Sequence, residues 1–503
     1  MKVYRNFING KFIKPLSKKY LNVLNPYTEK VIAKVPDSNI KDVDLAVNAA
    51  RKAFDSGVWS DMSVGEHSSY LLKLADLIEK NLLKLAKLES INQGKTIKMA
   101  RDSDIPFAID NLRFFAGASR SMKDVTPQDY VDYHEKNHHK PLGTSMIKRE
   151  PIGVVAAITP WNYPFMIAIW KIGPALAMGN TVIIKPASTT PLTTLELAVL
   201  AKKAGIPNGV LNVITGSGQV VGSYLAEHNK VDMISLTGNT ETGKEIQRLA
   251  INNLKKVHLE LGGKAPFIVF EDVDLEAATE GAIVASIVNS GQDCTAATRI
   301  YVHSKIYHKF IEKLKHKASK VRLGNPLDKK TDLGPLNSKA HLERVTNFIK
   351  NGVKEGAKIY YKGSKPEGKG YFMPIHIMIN VDQKSNLCQR EIFGPVINIL
   401  KFNTLGEVIK KANDVDYGLA SSVWTKDIKK AFNVTNKLKF GEVWINDHLP
   451  LVSEMPHGGV KQTGHGRDLS VYALEEYSNI KHVYVDLSGK VRKPWHYTVY
   501  GKP

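Results

Sequence analysis

The sequence predicts an α/β protein built on mostly parallel sheets. Three observations lead there. From residue 152 onward, short apolar runs rich in β-branched residues alternate with helical segments, which is the grammar of βαβ units. The alternation resumes after HLELGGKAPFIVF, so a second α/β unit follows the first. Finally, the chain has 503 residues, 43% hydrophobic and 24% charged. That is an ordinary globular composition, long enough for two to four domains, each with its own core.

The elements follow in order. Residues 42–54, DVDLAVNAARKAF, space Val43, Ala46, Ala49, Ala50 and Ala53 at helical intervals. A second long helix is expected over about 66–89. IGVVAAITP then reads as a buried strand, IAIWKIGPALAMG as a helix and NTVIIKPA as the next strand. A helix over 192–204 breaks at GIPNG, and VLNVIT and DMISLTG end the third and fourth units. In the second half a helix is expected over about 275–290, and RIYVH, FGPVINILKF, SSVWT and EVWIN read as strands. Residues 124–149 and the tail after Tyr477 fit neither unit. Their alternation, in TSMIKRE and HVYVDL, marks β-hairpin material outside the main sheets.

Several function classes are set aside by composition. Seventy Lys and Arg against 49 Asp and Glu give a net charge of +21, which can signal nucleic acid. The lysines are dispersed, however, and zinc-finger spacing, RNP-type aromatics and an arginine-rich arm are all missing, so no nucleic-acid partner and no metal are expected. No apolar run approaches ~20 residues and no secretory signal is read, so no membrane partner is expected. Two cysteines, Cys294 and Cys388, cannot form a disulfide framework; a reducing cytoplasm fits.

The turns that leave the strands carry the chemistry-bearing residues, and doubly wound sheets bind ligands there. ITPWNYP crowds two prolines, a Trp and an Asn into one turn, and IIKPAS places Lys185 just past a buried strand. LTGNTETG opens a helix with glycine and hydroxyls, where backbone N–H groups favour an anion. GSGQVVG could open another helix, with Gly218 and Gly222 permitting close approach. No GxGxxG follows the first strand. Cys294 follows a long helix in the polar turn NSGQDCTAATR, where a thiol with a lowered pKa would be a nucleophile. Cys388 reads as a structural thiol. Glu260 ends an apolar strand just before two glycines, 34 residues ahead of Cys294; a general base explains a carboxylate there. No His stands at a comparable strand-end turn, so a Cys–His pair is not expected.

Together these pieces resemble the aldehyde dehydrogenase superfamily. The likeness runs in order from FINGKF and LNPYTEKVIAKVP through ITPWNYP, GNTVIIKPAS, LTGNTETG, LELGGK, GQDC, EIFGPV and WIND to PHGGVKQTGHGRD. The resemblance implies that Cys294 attacks an aldehyde to give a thiohemiacetal, with the oxyanion held by the Asn162 amide and the Cys294 N–H. Hydride transfer to a nicotinamide would leave a thioester, hydrolysed by water that Glu260 activates. Ile158, Thr159, Pro160 and Trp161 would contact the cofactor, with Lys185 and Ala187 near the adenosine ribose. Gly218, Gly222, Thr237, Gly238, Asn239 and Thr242 would surround adenine and pyrophosphate. Leu261, Glu391 and Phe393 would flank the nicotinamide and its ribose. Two departures touch this set: Leu236-Thr237-Gly238-Asn239 stands for the usual Phe-Thr-Gly-Ser, and Arg390 for a Glu before Glu391.

Position 188 is the informative departure. Members using NAD usually carry Glu there, which would repel a 2′-phosphate of about −1.5 to −2 charge. Ser188 removes that repulsion, so NADP is expected to be accepted and preferred, with NAD as the alternative cofactor. The likeness is greatest to the aminobutyraldehyde and betaine aldehyde branch. It places Asp104, Phe107, Tyr163, Met166, Ile167, Trp170, Asp293, Thr295 and His457 around the substrate tunnel. Asp104 would either anchor a substrate ammonium or simply face solvent, and Trp170 would either offer a cation–π face or pack in the core. Asp468 would lie on a proton or water path. A small aldehyde such as an ω-aminoaldehyde is the expected substrate, with glyceraldehyde and succinic semialdehyde as runners-up. A structural or nucleic-acid-binding protein on the same scaffold is a weaker alternative, because Cys294, Glu260 and Asn162 are all retained.

The implied architecture is a Rossmann-type dinucleotide-binding domain from 1–123 and 143–262 and an α/β catalytic domain over 263–470. A β-hairpin oligomerisation extension would comprise 124–142 and 471–503, and the protein would assemble as a homodimer or homotetramer.

Overall fold

The computed structural model describes residues 1–122, 130–131 and 141–501. An eight-stranded sheet holds β1 (Asn6–Ile8), β2 (Lys11–Ile13), β3 (Val154–Ile158), β4 (Thr181–Lys185), β5 (Leu211–Val213), β6 (Met233–Thr237) and β7 (Lys256–Glu260), with the short segment Gly464–His465 as its eighth member. The order across it is Gly464–His465, β7, β6, β3, β4, β5, β1, β2. The five strands from β7 to β5 run parallel, and antiparallel strands close both edges. Chain order therefore reverses between β3 and β6, where departing loops part and leave a crevice.

The expected apolar runs are strands because both faces of this sheet are covered. Val155 and Ala157 of β3 join one core, while Val154, Ala156 and Ile158 join the other. The first core is supplied by α2 (Val64–Lys80), α4 (Ile105–Ala118), α5 (Pro164–Ala177) and α6 (Leu192–Ala204). α1 (Ile40–Asp55) and α7 (Thr240–Leu249) contribute to the second.

The second sheet has seven strands: β8 (Pro266–Val269), β9 (Arg299–His303), β10 (Lys358–Lys362), β11 (His376–Ile379), β12 (Val396–Phe402), β13 (Ala420–Trp424) and β14 (Glu442–Ile445). Its order is β10, β11, β12, β9, β8, β13, β14, parallel except for the edge strand β10. A third sheet sets the long strand Pro141–Pro151 between Ser478–Asp486 and Tyr130–Val131.

The structure departs from the sequence reading at four places. The helix expected over 66–89 is two helices, α2 and α3 (Leu82–Gln93). Asn81 breaks them apart at φ −108°, ψ 11°, its amide donating back to the Leu77 carbonyl at 2.8 Å. The helix expected to reach residue 290 ends at Ile287 (α8, Leu275–Ile287), because Asn289 and Ser290 adopt φ of 50° and 59°. The expected boundary at residue 143 falls inside a continuous strand, so 143–151 pair in the third sheet. The chain near 464 returns to the first sheet, and Ala473 and Leu474 of the following helix enter its core. Much of the expected extension at 124–142 lies outside the described residues. Among those described, no helix is long and apolar enough to cross a membrane.

Candidate active site

A cavity of about 820 Å³ opens at the reversal between β3 and β6. The turn after β3 lines it with Ile158, Thr159, Pro160 and Trp161, and the turn after β4 with Lys185, Ala187 and Ser188. Gly218 adds a rim. Thr237, Gly238, Asn239 and Thr242 line the entry to α7, and Leu261, Glu391 and Phe393 the inner wall. Gly222 alone of the expected cofactor residues stands behind the wall, where a Cβ would lie 3.5 Å from Ile158. Asn239 caps α7, its side chain accepting from the Thr242 N–H at 2.8 Å. The remaining free N–H groups of that helix end face the crevice side of the sheet, a favourable place for an anion.

Polar groups in this wall lack partners of their own. The hydroxyls of Thr159 and Thr237 are buried without a hydrogen bond, a costly arrangement unless a ligand supplies one. Lys185 is buried, its ammonium donating to the Pro186 carbonyl at 3.1 Å, and burial pushes its pKa down to about 8. The Ser188 hydroxyl donates to the Gly216 carbonyl at 2.8 Å. Burial pushes Glu391 up to about 7 although the Gly263 N–H donates to it at 2.9 Å. Orphaned hydroxyls, a helix N-terminus and a buried lysine in one long crevice fit a nicotinamide dinucleotide.

Among the wall residues that sequence reasoning missed are His341, Arg344 and Phe348 on α9 (Lys339–Lys354), and Tyr417. His341 donates from Nε2 to the Phe393 carbonyl at 2.7 Å and packs on Trp161. Burial holds its pKa near 4, so it stays neutral. Arg344 donates to the carbonyls of Glu391 and Ile392 at 2.7 and 2.6 Å. Nothing local in KAHLERVTNFIK marks these side chains as site residues.

Cys294, Glu260 and Asn162 converge at the inner end of the cavity. Two devices bring the Cys294 turn onto the end of β7. Gly263 leaves room for the Cys294 carbonyl, which would lie 2.1 Å from a Cβ there. Asn289, Ser290 and Gly291 all hold positive φ, and a Cβ on Gly291 would meet the Gly394 backbone at 2.3 Å. The Asn289 amide donates to the carbonyls of Asn162 and Gln292 at 2.9 and 3.2 Å, and the Asn162 amide also donates to Gln292 at 3.2 Å. The Asn162 amide is thereby tied to the turn that carries Cys294, with one N–H to spare. Glu260 is buried with one carboxylate oxygen unpaired, and burial raises its pKa, which makes it a stronger base when ionised. Burial and the nearby Glu260 also push the Cys294 thiol up, while His457 pulls it the other way. Cys388 is fully buried, 3.8 Å from the Tyr301 hydroxyl, consistent with a packing role.

The expected tunnel residues fall into three groups. Phe107, Trp170 and His457 form an aromatic series, with centroids 6.4 and 5.1 Å apart. The Trp170 N–H donates to Asn111 at 2.7 Å, so its ring is held. Tyr163 donates to Asp293 at 2.5 Å, and Asp293 also accepts from the Thr295 hydroxyl at 2.6 Å. Met166 and Ile167 are buried on the same helix as Trp170.

Two expectations need correcting. Asp104 neither faces solvent nor offers a free charge: it is 1% exposed and ion-paired with the buried Lys95, which also neighbours Glu89 at 3.7 Å. A histidine does reach the cysteine. A His457 ring nitrogen, a Glu260 carboxylate oxygen and the Cys294 sulfur all lie within 4.8 Å of one another. His457 comes from the returning chain near Gly464–His465, which sequence spacing cannot reveal. Asp468 is fully buried and ion-paired with Lys171 at 2.9 Å, with His258 3.7 Å away.

A thiol, a buried carboxylate and a side-chain amide gathered in a dinucleotide-sized crevice are the furniture of an oxidoreductase. Comparison with known proteins narrows that class: residues 12–483 match the aldehyde dehydrogenase family. The betaine aldehyde dehydrogenase of Bacillus subtilis is 42% identical over 483 residues, covering 95% of this chain and 96% of its own. A Bacillus cereus aldehyde dehydrogenase solved as an NAD+ complex superposes with a TM-score of 0.91 at 42% identity, covering 96% of each chain. The Staphylococcus aureus betaine aldehyde dehydrogenase with NAD+ gives a TM-score of 0.93 at 38% identity, over 98% of this chain and 96% of that one. The chain belongs to the aldehyde dehydrogenase family and is an oxidoreductase acting on aldehydes.

Proposed function

We propose that this protein oxidises a small aldehyde to the carboxylic acid through a covalent adduct on Cys294. The observation that carries the reading is the convergence of Cys294, Asn162 and Glu260 at the inner end of the dinucleotide crevice. Cys294 sulfur attacks the aldehyde carbon to give a thiohemiacetal. The developing oxyanion takes hydrogen bonds from the Asn162 amide and the Cys294 N–H, a contribution of about a hundredfold or more per donor. The bound dinucleotide supplies the hydride acceptor that leaves Cys294 as a thioester. Glu260 then takes a proton from water, which hydrolyses the thioester and frees the thiol. The Cys294→Ala variant should retain dinucleotide binding and lose aldehyde oxidation with either cofactor; oxidation at a wild-type rate would overturn the reading.

NAD is bound by the two solved relatives, and this chain's crevice offers the same fold for it. We infer that NADP is preferred here. Ser188 lines the crevice with a neutral hydroxyl beside Lys185, so a 2′-phosphate meets no carboxylate at that point. For the substrate, an ω-aminoaldehyde remains the reading favoured by likeness to betaine aldehyde dehydrogenases. Its support inside the tunnel shifts from Asp104, already neutralised by Lys95, to Asp293 and the ring of Trp170. A cytoplasmic homodimer or homotetramer completes the proposal, with the third sheet as the assembling surface.

A further inference from the structure

We propose that His457 is a further catalytic residue: it accepts the proton of the Cys294 thiol and holds it as an imidazolium fixed by Glu442. The inference rests on Cys294 being the nucleophile and adds a partner that the mechanism above lacks.

The geometry is that of an oriented base. His457 Nδ1 lies 2.8 Å from a Glu442 carboxylate oxygen. In a neutral ring that contact places the proton on Nδ1 and the lone pair on Nε2. Nε2 lies 3.5 Å from Glu260, and a ring nitrogen of His457 lies within 4.8 Å of the Cys294 sulfur. Nε2 is buried and has no hydrogen-bond partner. An idle buried nitrogen costs stability, and catalytic hydrogen bonds often close only when substrate binds. The ring cannot easily turn away. His457 and Asp468 exchange two backbone hydrogen bonds of 2.7 and 2.8 Å, and Trp170 packs on the ring.

Charge balance points the same way. Glu442 reaches the ring from β14, Glu260 from β7, and Asp293 stands beside the thiol. The buried Lys171 on α5, whose charge acts on Glu260, is already held by Asp468 at 2.9 Å. An imidazolium at His457 supplies the missing positive charge between the carboxylates. Burial opposes that cation, but Glu442, Cys294 and Glu260 together outweigh burial and hold its pKa well above the ordinary imidazole value.

In the proposed step the Sγ–H bond breaks and its proton passes to Nε2. The electron pair left on sulfur forms the bond to the aldehyde carbon, and the carbonyl pair moves onto oxygen, where Asn162 holds it. Glu260 is thereby left free to activate water later.

The test is the pH profile of Cys294 alkylation by iodoacetamide in the full chain, read by peptide mass with Cys388 as the internal control. Pairing with the imidazolium should offset the burial and the Glu260 charge that raise the thiol, so the wild-type rate should inflect well below that of a Cys294 left without His457. His457→Asn and Glu442→Gln should each move the inflection upward and slow alkylation at pH 7 at least tenfold. Unchanged profiles in both would overturn the proposal. Should the variants fail to fold, thiolate absorbance of wild type minus Cys294→Ser decides: signal persisting below pH 7 supports it, and signal only above about pH 8.5 overturns it. Aldehyde oxidation surviving in Cys294→Ser would instead sink the nucleophile assignment, a separate outcome.

Discussion

We infer that cofactor choice turns on Ser188. Its hydroxyl faces the crevice and is anchored to the Gly216 carbonyl, so the site is neutral there. Placing a carboxylate at 188 would set a negative charge against a 2′-phosphate carrying about −1.5 to −2. The Ser188→Glu variant should lower kcat/KM for NADP relative to NAD by at least about tenfold, equivalent to about 1.4 kcal/mol. Steady-state kinetics with both dinucleotides measure it; a ratio that does not move would remove Ser188 from the argument. Other single residues behaved differently from their sequence appearance. Asp104 looked free but is consumed by Lys95 nine positions earlier, a pairing hidden because the chain from 100 to 104 is irregularly wound.

The glycines after β7 matter because they let one turn close on another. Gly263 faces the Cys294 carbonyl and Gly262 faces the Glu391 carboxylate, where Cβ atoms would come within 2.1 and 2.8 Å. Backbone cannot swing aside as a side chain can. Gly263→Ala should therefore displace the Cys294 turn and cut kcat by at least about a hundredfold, the scale of misplacing a reacting group by about 1 Å. The thermal midpoint and far-UV spectrum are measured alongside; full activity would show that the turn adapts. The order of strands and helices was legible in the sequence, since β3, β4 and β6 are apolar throughout and covered on both faces. Cys294 and Glu260 each stood out against its local pattern, and the fold places both in one cavity wall. The ends of elements were less legible: Asn81 breaks its helix while bonding back to the Leu77 carbonyl one turn earlier, and Asn289 leaves the helical region to reach the distant Asn162 carbonyl. His457 was invisible as a partner because 163 residues separate it from Cys294, and only the return of Gly464–His465 to the first sheet brings it there.

At the scale of the whole molecule, three buried histidines couple stability to pH. Burial lowers His258 to about 3 and His341 and His448 to about 4. In the unfolded chain each titrates near about 6.5, so the unfolded state takes up protons first as pH falls. The stability contributed by keeping these three neutral is therefore fully present above about pH 6.5 and declines toward pH 4, by up to about 1.4 kcal/mol per unit for each group. The thermal midpoint should drop across that window, and His258→Asn should flatten the drop; a slope unaltered in the variant would place the acid sensitivity elsewhere. The net charge of +21 is spread over the surface, and a positive field suits an anionic dinucleotide. The central proposal is covalent catalysis by Cys294 with Glu260 completing the cycle. Its most direct test is the Glu260→Gln variant mixed with aldehyde and NADP. It should release a stoichiometric burst of reduced cofactor, turn over slowly thereafter and carry an acyl mass on the Cys294 peptide. Loss of the burst together with turnover, and no added mass on Cys294, would contradict it.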